Sequence, residues 1–434
     1  MRQRALAWTG VIAVAFLVAH ACGYRFGVAN QTTYFLHALQ HAHPDLYRHD
    51  WLVSSTSEYH TIFSFFAGLL FELDDVGALA FGITHVVLMV ALIVGMYLLV
   101  RATTPRATII TFILVLGWVA VNGERSIAGS YIWSSYLQPS LIGAAGWIIG
   151  LAMYARGRPL AAGIALAIGG LFHVNFLILG IGAFGLAELV VERDWKRLAW
   201  LLAPQLVALA ILAPEILAHA SSSDPDRSLW VLVQFHAPLH YKASWIARTL
   251  PRFIRWPALA VVVAPVAIAY GNSAAVRRLV WWAGLVAAIC VAGTLVMIIP
   301  TFLPLTRLYV WRLAPFAILA AQIVCAIALA ATVADVRVWR TQPLWRRVVT
   351  IVLVAWIAWR DPFGMPAELG WIIWIAIAAV ALALALPWRA PILLAAAIAT
   401  LAMPMWNRRD DILHPVVALD SEGPANDQLY AWAR

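Results

Sequence analysis

The chain has 434 residues, of which 63% are hydrophobic and only 12% are charged, and its mean hydropathy is +0.83. This composition excludes a soluble globular protein of this length and is typical of a polytopic membrane protein. The net charge of +9 does not indicate a nucleic-acid partner, because the basic residues form short clusters between apolar segments, as cytoplasmic loops facing anionic lipids do.

Apolar segments long enough to cross, or nearly cross, a bilayer recur along the chain. The candidate spans are residues 5–21, 76–100, 107–121, 137–154, 160–172, 176–190, 198–217, 258–270, 279–299, 308–333, 348–359, 371–386 and 392–405. Several are short, so the sequence predicts an all-α polytopic bundle of about 11 to 13 spans.

Basic residues between the spans orient the bundle. Counting spans places these clusters on one side, which the positive-inside rule assigns to the cytoplasm. They are Arg2, Arg4, Arg101, Arg106, Arg156, Arg158, Arg193, Lys196, Arg197, Arg277, Arg278, Arg337, Arg340, Arg346, Arg347 and Arg389. The agreement requires residues 160–190 to cross twice, with a polar break at Phe172-His173-Val174-Asn175. We expect a multi-pass protein of a bacterial inner membrane, with a cytoplasmic N-terminus and a periplasmic C-terminus.

The first predicted periplasmic loop, residues 22–75, holds two interfacial helices. Residues 34–50 have apolar side chains at helical spacing and are broken at Pro44, and residues 60–71 are too short to span and form an interfacial or re-entrant helix. A second large periplasmic loop covers residues 218–257. The whole of residues 1–406 is interpreted as the transmembrane domain.

Carboxylates in the first loop are the candidate catalytic groups. A carboxylate at the membrane boundary can act as a general base that accepts a hydroxyl proton during sugar transfer. Asp50 is the first choice and Asp45 the second. In the structural alternative, Asp45 caps a helix after Pro44 and Asp50 pairs with Arg48.

The same loop is rich in histidine. His37 and His41 have the i, i+4 spacing of a metal site, but no third ligand is evident. We therefore interpret the histidines as a solvated face, predict no metal or other cofactor, and place His49 among the substrate-binding residues.

Cations on the predicted outer side are candidate ligands for a lipid phosphate. Arg248, Arg252 and Arg255 lie in the second loop among tryptophans, where an aromatic belt with snorkelling cations is the structural alternative. Arg307 and Arg312 begin an apolar helix on the side where the positive-inside rule expects few cations.

His173 and Asn175 at the helix break are further polar groups that could meet a substrate. The alternative is that they only satisfy backbone groups exposed by the break. We include His173 among the candidate binding residues.

Short motifs along the chain resemble the GT-C class of polytopic glycosyltransferases, and more narrowly an uncharacterised bacterial family of that architecture. The motifs are Gln31…Tyr34…Pro44-Asp45-Leu46-Tyr47…Asp50, then Tyr136-Leu137-Gln138-Pro139-Ser140, then Phe172-His173-Val174-Asn175. The resemblance implies a GT-C-like fold, a polyprenyl-phosphate-linked sugar as donor and a loop aspartate as base. The adjacent acid pair of mannosyltransferase-like members does not occur in the first loop, where Asp45 and Asp50 are separated.

Two other functions compete with glycosyl transfer. A secondary transporter also uses broken helices and intramembrane polar groups, and a non-catalytic envelope-assembly protein could share this architecture. Membrane lipids are expected partners, whereas no pattern indicates a protein partner. Residues 407–434 are predicted to be a periplasmic tail that begins a soluble domain of a longer protein.

Overall fold

The computed structural model describes residues 23–27, 30–45, 60–73, 76–105, 108–122, 132–221, 263–269, 273–296, 308–334 and 342–348, with a few isolated residues between 11 and 53. Every regular element within these ranges is helical. Five of the helices are long and apolar enough to cross a bilayer, and three shorter ones are also apolar. The predicted all-α, multi-span fold is therefore confirmed for the described part of the chain. The predicted spans 348–359, 371–386 and 392–405 and the tail 407–434 lie outside it, apart from Val348.

The helices are numbered here in chain order. They are α1 Gln31–Ala42, α2 Thr61–Phe71, α3 Gly77–Thr103, α4 Thr108–Asn122, α5 Pro139–Ala155, α6 Pro159–Phe172, α7 Val174–Val191, α8 Trp195–Ser221, α9 Ala274–Val296 and α10 Ala314–Ala334, with a 3-10 turn, Val310–Leu313, before α10. Within the ranges given above, the predicted spans between 76 and 217 match α3 to α8 to within a few residues at each end.

Helices α1 and α2 are the two predicted non-spanning helices, and they pack side by side in the same direction. The Tyr34 ring lies 5.5 Å from the His60 ring at the start of α2, and His41 lies beside Gly68 near its end. Helix α1 ends at Ala42, before Pro44, because the residue preceding a proline avoids helical backbone, and His43 is accordingly non-helical. The break predicted at Pro44 is therefore present, although the helix begins at Gln31 rather than at Tyr34, and residues 46–50 lie outside the described part.

The predicted break in residues 160–190 is present. Helix α6 ends at Phe172, α7 begins at Val174, and His173 between them has extended backbone. A Cβ added to Gly170 would lie 2.7 Å from the side chain of Leu177, so the two helices close against each other directly at the break. This close hairpin places a polar residue at the point where two apolar helices meet.

Glycines allow α5, α6 and α8 to approach closely. A Cβ on Gly146 of α5 would lie 2.8 Å from the Cα of Gly169 on α6, and one on Gly163 of α6 would collide with the backbone carbonyl of Leu201 on α8. Small residues permit such contacts between helices in a membrane, where packing rather than water exclusion drives association.

Gly163→Ala should lower the thermal stability of the purified protein, because the added methyl group must displace the α8 backbone. Overpacking of this kind costs about 1–3 kcal/mol. Gly182→Ala is the matched control, since Gly182 is exposed on α7 and an added Cβ meets nothing within 4 Å. Thermal unfolding in detergent measures both variants. Equal melting temperatures for the two would show that the α6–α8 contact is not tight.

Two ion pairs join the ends of α7, α8 and α9 on the predicted cytoplasmic side. Glu188 pairs with Arg197 and Glu192 with Arg278, each at 2.6 Å. Asp194 accepts hydrogen bonds from the first backbone N–H groups of α8, at 2.9 Å from Lys196. The end of the bundle far from His173 is therefore held together by charge.

Candidate functional site

Arg312 and His173 contact each other, although they are 139 residues apart in sequence. The Arg312 guanidinium donates a hydrogen bond from Nη1 to His173 Nε2. His173 stands at the α6–α7 break and is buried, with 2% of its surface exposed, and Arg312 lies in the 3-10 turn before α10. Two of the substrate-binding residues predicted from sequence are thus brought together.

His173 is in the neutral form. It lies between two helices rather than within either, and its burial, together with the proximity of Arg312 and His60, holds its pKa well below the ordinary value. Because Nε2 accepts from Arg312, the proton is on Nδ1. Within the described residues, Nδ1 has no hydrogen-bond partner, so the ring carries one buried, unsatisfied donor.

Arg312 has no carboxylate partner among the described residues. Its guanidinium lies over the Tyr309 ring, 4.8 Å from the ring centre. A histidine that is neutral and an aromatic face orient the cation but do not neutralise it. The arrangement leaves a positive charge in a half-buried position, where an anion would be favoured.

Three helix N-termini converge on this pair. His173 immediately precedes α7, His60 immediately precedes α2 with its ring 4.7 Å from that of His173, and the turn containing Arg312 leads into α10. None of the three helices has an acidic residue in its first turn. Helix N-termini carry partial positive charge and unpaired N–H groups, so their field adds to that of Arg312.

Glu215 brings a carboxylate to the edge of this cluster. Its Oε1 accepts a hydrogen bond from the backbone N–H of His60 at 3.1 Å. Pro214 precedes it inside α8. The contact ties the start of α2 to α8 and also offers the site an acidic group.

Backbone strain is concentrated around the pair. His60 and Tyr309 both have left-handed backbone, with φ of 60° and 50°, and Arg193 is the other non-glycine residue of the described chain that does. Such conformations cost on the order of 1 kcal/mol or more and persist where the surroundings enforce them, often at functional sites. Here they direct the His60 ring and the Tyr309 ring towards His173 and Arg312.

Aromatic side chains of the core pack against His173. The His173 ring meets that of Phe176 edge-on at 4.9 Å, and the Phe176 backbone carbonyl accepts a hydrogen bond from Trp147 Nε1 at 3.0 Å. Trp147 is completely buried. The histidine is therefore fixed by the protein core as well as by Arg312.

Asp45 lies away from the pair. It is exposed in the turn that follows α1, next to the Gly68 end of α2, whereas His60 is at the other end of α2. Eleven residues of helix separate these ends by about 16 Å at 1.5 Å per residue. Asp50, His49, Arg248, Arg252, Arg255 and Arg307 lie outside the described residues, so their roles stay predictions.

No sequence pattern identifies His60, Glu215 or Tyr309 as a site residue. His60 and Glu215 each lie near the end of a predicted helix, but no sequence pattern indicates that the two residues are in contact. A cation at a helix start on the outer side was the signal that identified Arg312, and the polar break identified His173. No group of three or more potential metal ligands occurs within the described ranges.

No protein-family model matches the chain, and no curated protein matches it. Among solved structures, the chain is similar to the crystal structure of ArnT from Cupriavidus metallidurans bound to undecaprenyl phosphate. The identity is 15% and the TM-score 0.43, over 96% of this chain and 78% of that chain. Similarity at this level assigns neither a family nor a function to the chain.

Proposed function

We propose that the chain is an integral membrane glycosyltransferase that transfers a sugar from a polyprenyl-phosphate donor to an acceptor on the periplasmic or extracellular face. The observation that carries the proposal is the Arg312–His173 pair at the meeting point of three helix N-termini. This positive, partly buried site suits a phosphate group.

The reaction releases a phosphate that must carry the bonding electrons. When the bond between the sugar C1 and the phosphate oxygen breaks, the negative charge on the departing polyprenyl phosphate grows. Arg312 can donate hydrogen bonds to that oxygen, and a fixed donor aimed at developing charge stabilises a transition state. The acceptor hydroxyl forms the new bond to C1 and gives its proton to a carboxylate.

Asp50 is the proposed base, with Asp45 as the second candidate. The proposal rests on the GT-C resemblance of the first loop. Arg307, Arg248, Arg252, Arg255 and His49 are the proposed additional ligands of the donor. Glu215 is an alternative base, because it contacts the backbone of His60 beside the phosphate site.

A secondary transporter is the second candidate function. The α6–α7 break places a polar residue and a helix N-terminus together between two apolar helices, which is also how transporters bind anionic substrates. A transporter would move a substrate without consuming a donor, so a chemical assay separates the two functions.

The deciding experiment incubates the purified full-length protein with a panel of polyprenyl-phosphate sugars and acceptor extracts, and follows loss of the donor. We expect wild-type protein to consume one donor. Asp50→Asn should reduce the rate about 10²–10⁴-fold, since a general base contributes that much. Asp45→Asn and Glu215→Gln are measured beside it, and the variant with the deep loss identifies the base.

Two results would contradict the proposal. Donor remaining intact with every sugar and acceptor would exclude glycosyl transfer, and uptake of an anion by vesicles containing the protein would then favour the transporter. If the three variants consume the donor at the wild-type rate, the protein is a transferase but none of these carboxylates is its base.

A further inference from the structure

A second cationic cluster lies at the other end of the bundle, on the predicted cytoplasmic side. Arg101 is in the last turn of α3, Arg156 directly follows α5, and Arg158 directly precedes α6. Helices α3 and α5 run in the same direction, because α4 returns the chain between them, and they touch where Gly95 meets Ile149. Each helix continues for about two turns beyond that contact, so their ends bring the arginines together.

Two neighbouring arginines on this side, Arg197 and Arg278, are neutralised by glutamates, whereas these three are not. Arg197 and Arg278 each form a 2.6 Å ion pair with a glutamate. No carboxylate of the described residues pairs with Arg101, Arg156 or Arg158. Burial lowers the pKa of Arg156, and the nearby charges of Arg101 and Arg158 lower it further.

Helix capping does not account for the cluster. The end of α5 is closed by backbone groups, since the N–H of Gly157 binds the Tyr154 carbonyl at 2.9 Å and that of Arg158 binds the Met153 carbonyl at 3.0 Å. Gly157 has left-handed backbone, as this type of helix end requires. Arg158 in turn stands at the N-terminus of α6, where the helix dipole disfavours a cation and no acidic residue occurs in the first turn.

An exposed apolar stripe begins beside the cluster. Leu160, Ile164 and Ile168 of α6 are 42%, 45% and 54% exposed, and their spacing of four residues places them on one face of the helix. The stripe runs from Arg158 along the apolar length of α6. A ligand with an anionic head group and a hydrocarbon chain could bind the cations with its head group and the apolar stripe with its chain.

We propose that Arg101, Arg156 and Arg158 bind the phosphate of an anionic phospholipid, whose acyl chain lies along Leu160, Ile164 and Ile168. The site is independent of the proposed glycosyl transfer, because it lies at the opposite ends of the helices from the Arg312–His173 pair. The bound lipid would be a structural partner from the inner leaflet rather than a substrate.

The test measures lipid binding to the full-length protein purified in detergent. Phosphatidylglycerol is added, and binding is followed by native mass spectrometry and by the rise in melting temperature, with phosphatidylcholine and inorganic phosphate as separate arms. The variant Arg101→Gln with Arg158→Gln is compared with Lys196→Gln and Arg277→Gln, a matched double variant that removes two exposed charges from the same side.

We expect phosphatidylglycerol to stabilise wild type and the control variant. The Arg101/Arg158 variant should bind it about 25-fold more weakly, since each of the two basic residues near an anionic leaflet contributes roughly a factor of five. Arg101→Lys with Arg158→Lys retains both charges and should keep most of the binding, which separates charge loss from misfolding. Equal binding by the two glutamine variants would overturn the proposal. Stabilisation by inorganic phosphate equal to that by the lipid, or by phosphatidylcholine, would also overturn it.

Discussion

Arg312→Ala should reduce donor turnover about 10²–10³-fold, the loss that follows removal of one fixed hydrogen-bond donor to a developing oxyanion. The guanidinium is the one charged group that joins His173, the Tyr309 ring and the start of α10 among the described residues. Without it, the donor phosphate would meet only helix ends and a neutral histidine. Kinetics with the polyprenyl-phosphate sugar give kcat and KM, and native mass spectrometry with polyprenyl phosphate alone gives binding.

Arg312→Lys tests geometry separately from charge. Lysine keeps the cation but loses the planar fork and the stacking on Tyr309, so we expect activity between those of wild type and the alanine variant. Arg277→Gln, exposed at the far end of the bundle, should retain wild-type turnover. Wild-type turnover in Arg312→Ala would remove Arg312 from the donor site.

The helices of the described region could be predicted from hydropathy because their lipid-facing and core-facing residues are both apolar. The break at His173 was predictable because a polar residue interrupts two apolar segments that the charge distribution requires to cross twice. The start of α1 at Gln31 was not predictable from the sequence. Gln31 is completely buried and donates a hydrogen bond to the Leu137 carbonyl at 2.9 Å, a tertiary contact that sequence spacing does not reveal.

Arg312 and His173 could each be predicted as candidate site residues, but the contact between them could not. Arg312 and His173 each violated a membrane expectation, one as an outer-side cation and the other as a polar residue between spans. Their contact depends on how α9 packs both against α7 and against α10 with its preceding 3-10 turn. His60 was missed because its role comes from a left-handed backbone and from Glu215 on α8, neither of which leaves a local signature.

The Glu188–Arg197 pair should contribute more to stability than any exposed charge at the described end of the bundle far from His173. Glu188 is completely buried, and Arg197 also donates from Nη1 to the Gly157 carbonyl at 3.3 Å, so this arginine joins α7, α8 and the α5–α6 turn. Arg197→Ala leaves a buried carboxylate without its cation, which typically costs about 3–5 kcal/mol. We expect a fall in melting temperature on the order of 10 °C.

The double variant Glu188→Gln with Arg197→Met separates charge loss from loss of the pair. It removes both charges, and a buried ion pair replaced by neutral groups of similar size often costs little, so it should be more stable than Arg197→Ala alone. Lys196→Ala, exposed beside Arg197, should leave the melting temperature nearly unchanged. A double variant as unstable as Arg197→Ala would mean that the hydrogen bond to Gly157, rather than the buried charge, dominates the stability of this end of the bundle.

Donor binding should survive in Arg197→Ala when it is measured well below the melting temperature. Glu188 lies fifteen residues along α7 from His173, which is about 22 Å at 1.5 Å per residue. Retained binding in this variant and lost binding in Arg312→Ala would together locate the phosphate site at the His173 end of the bundle.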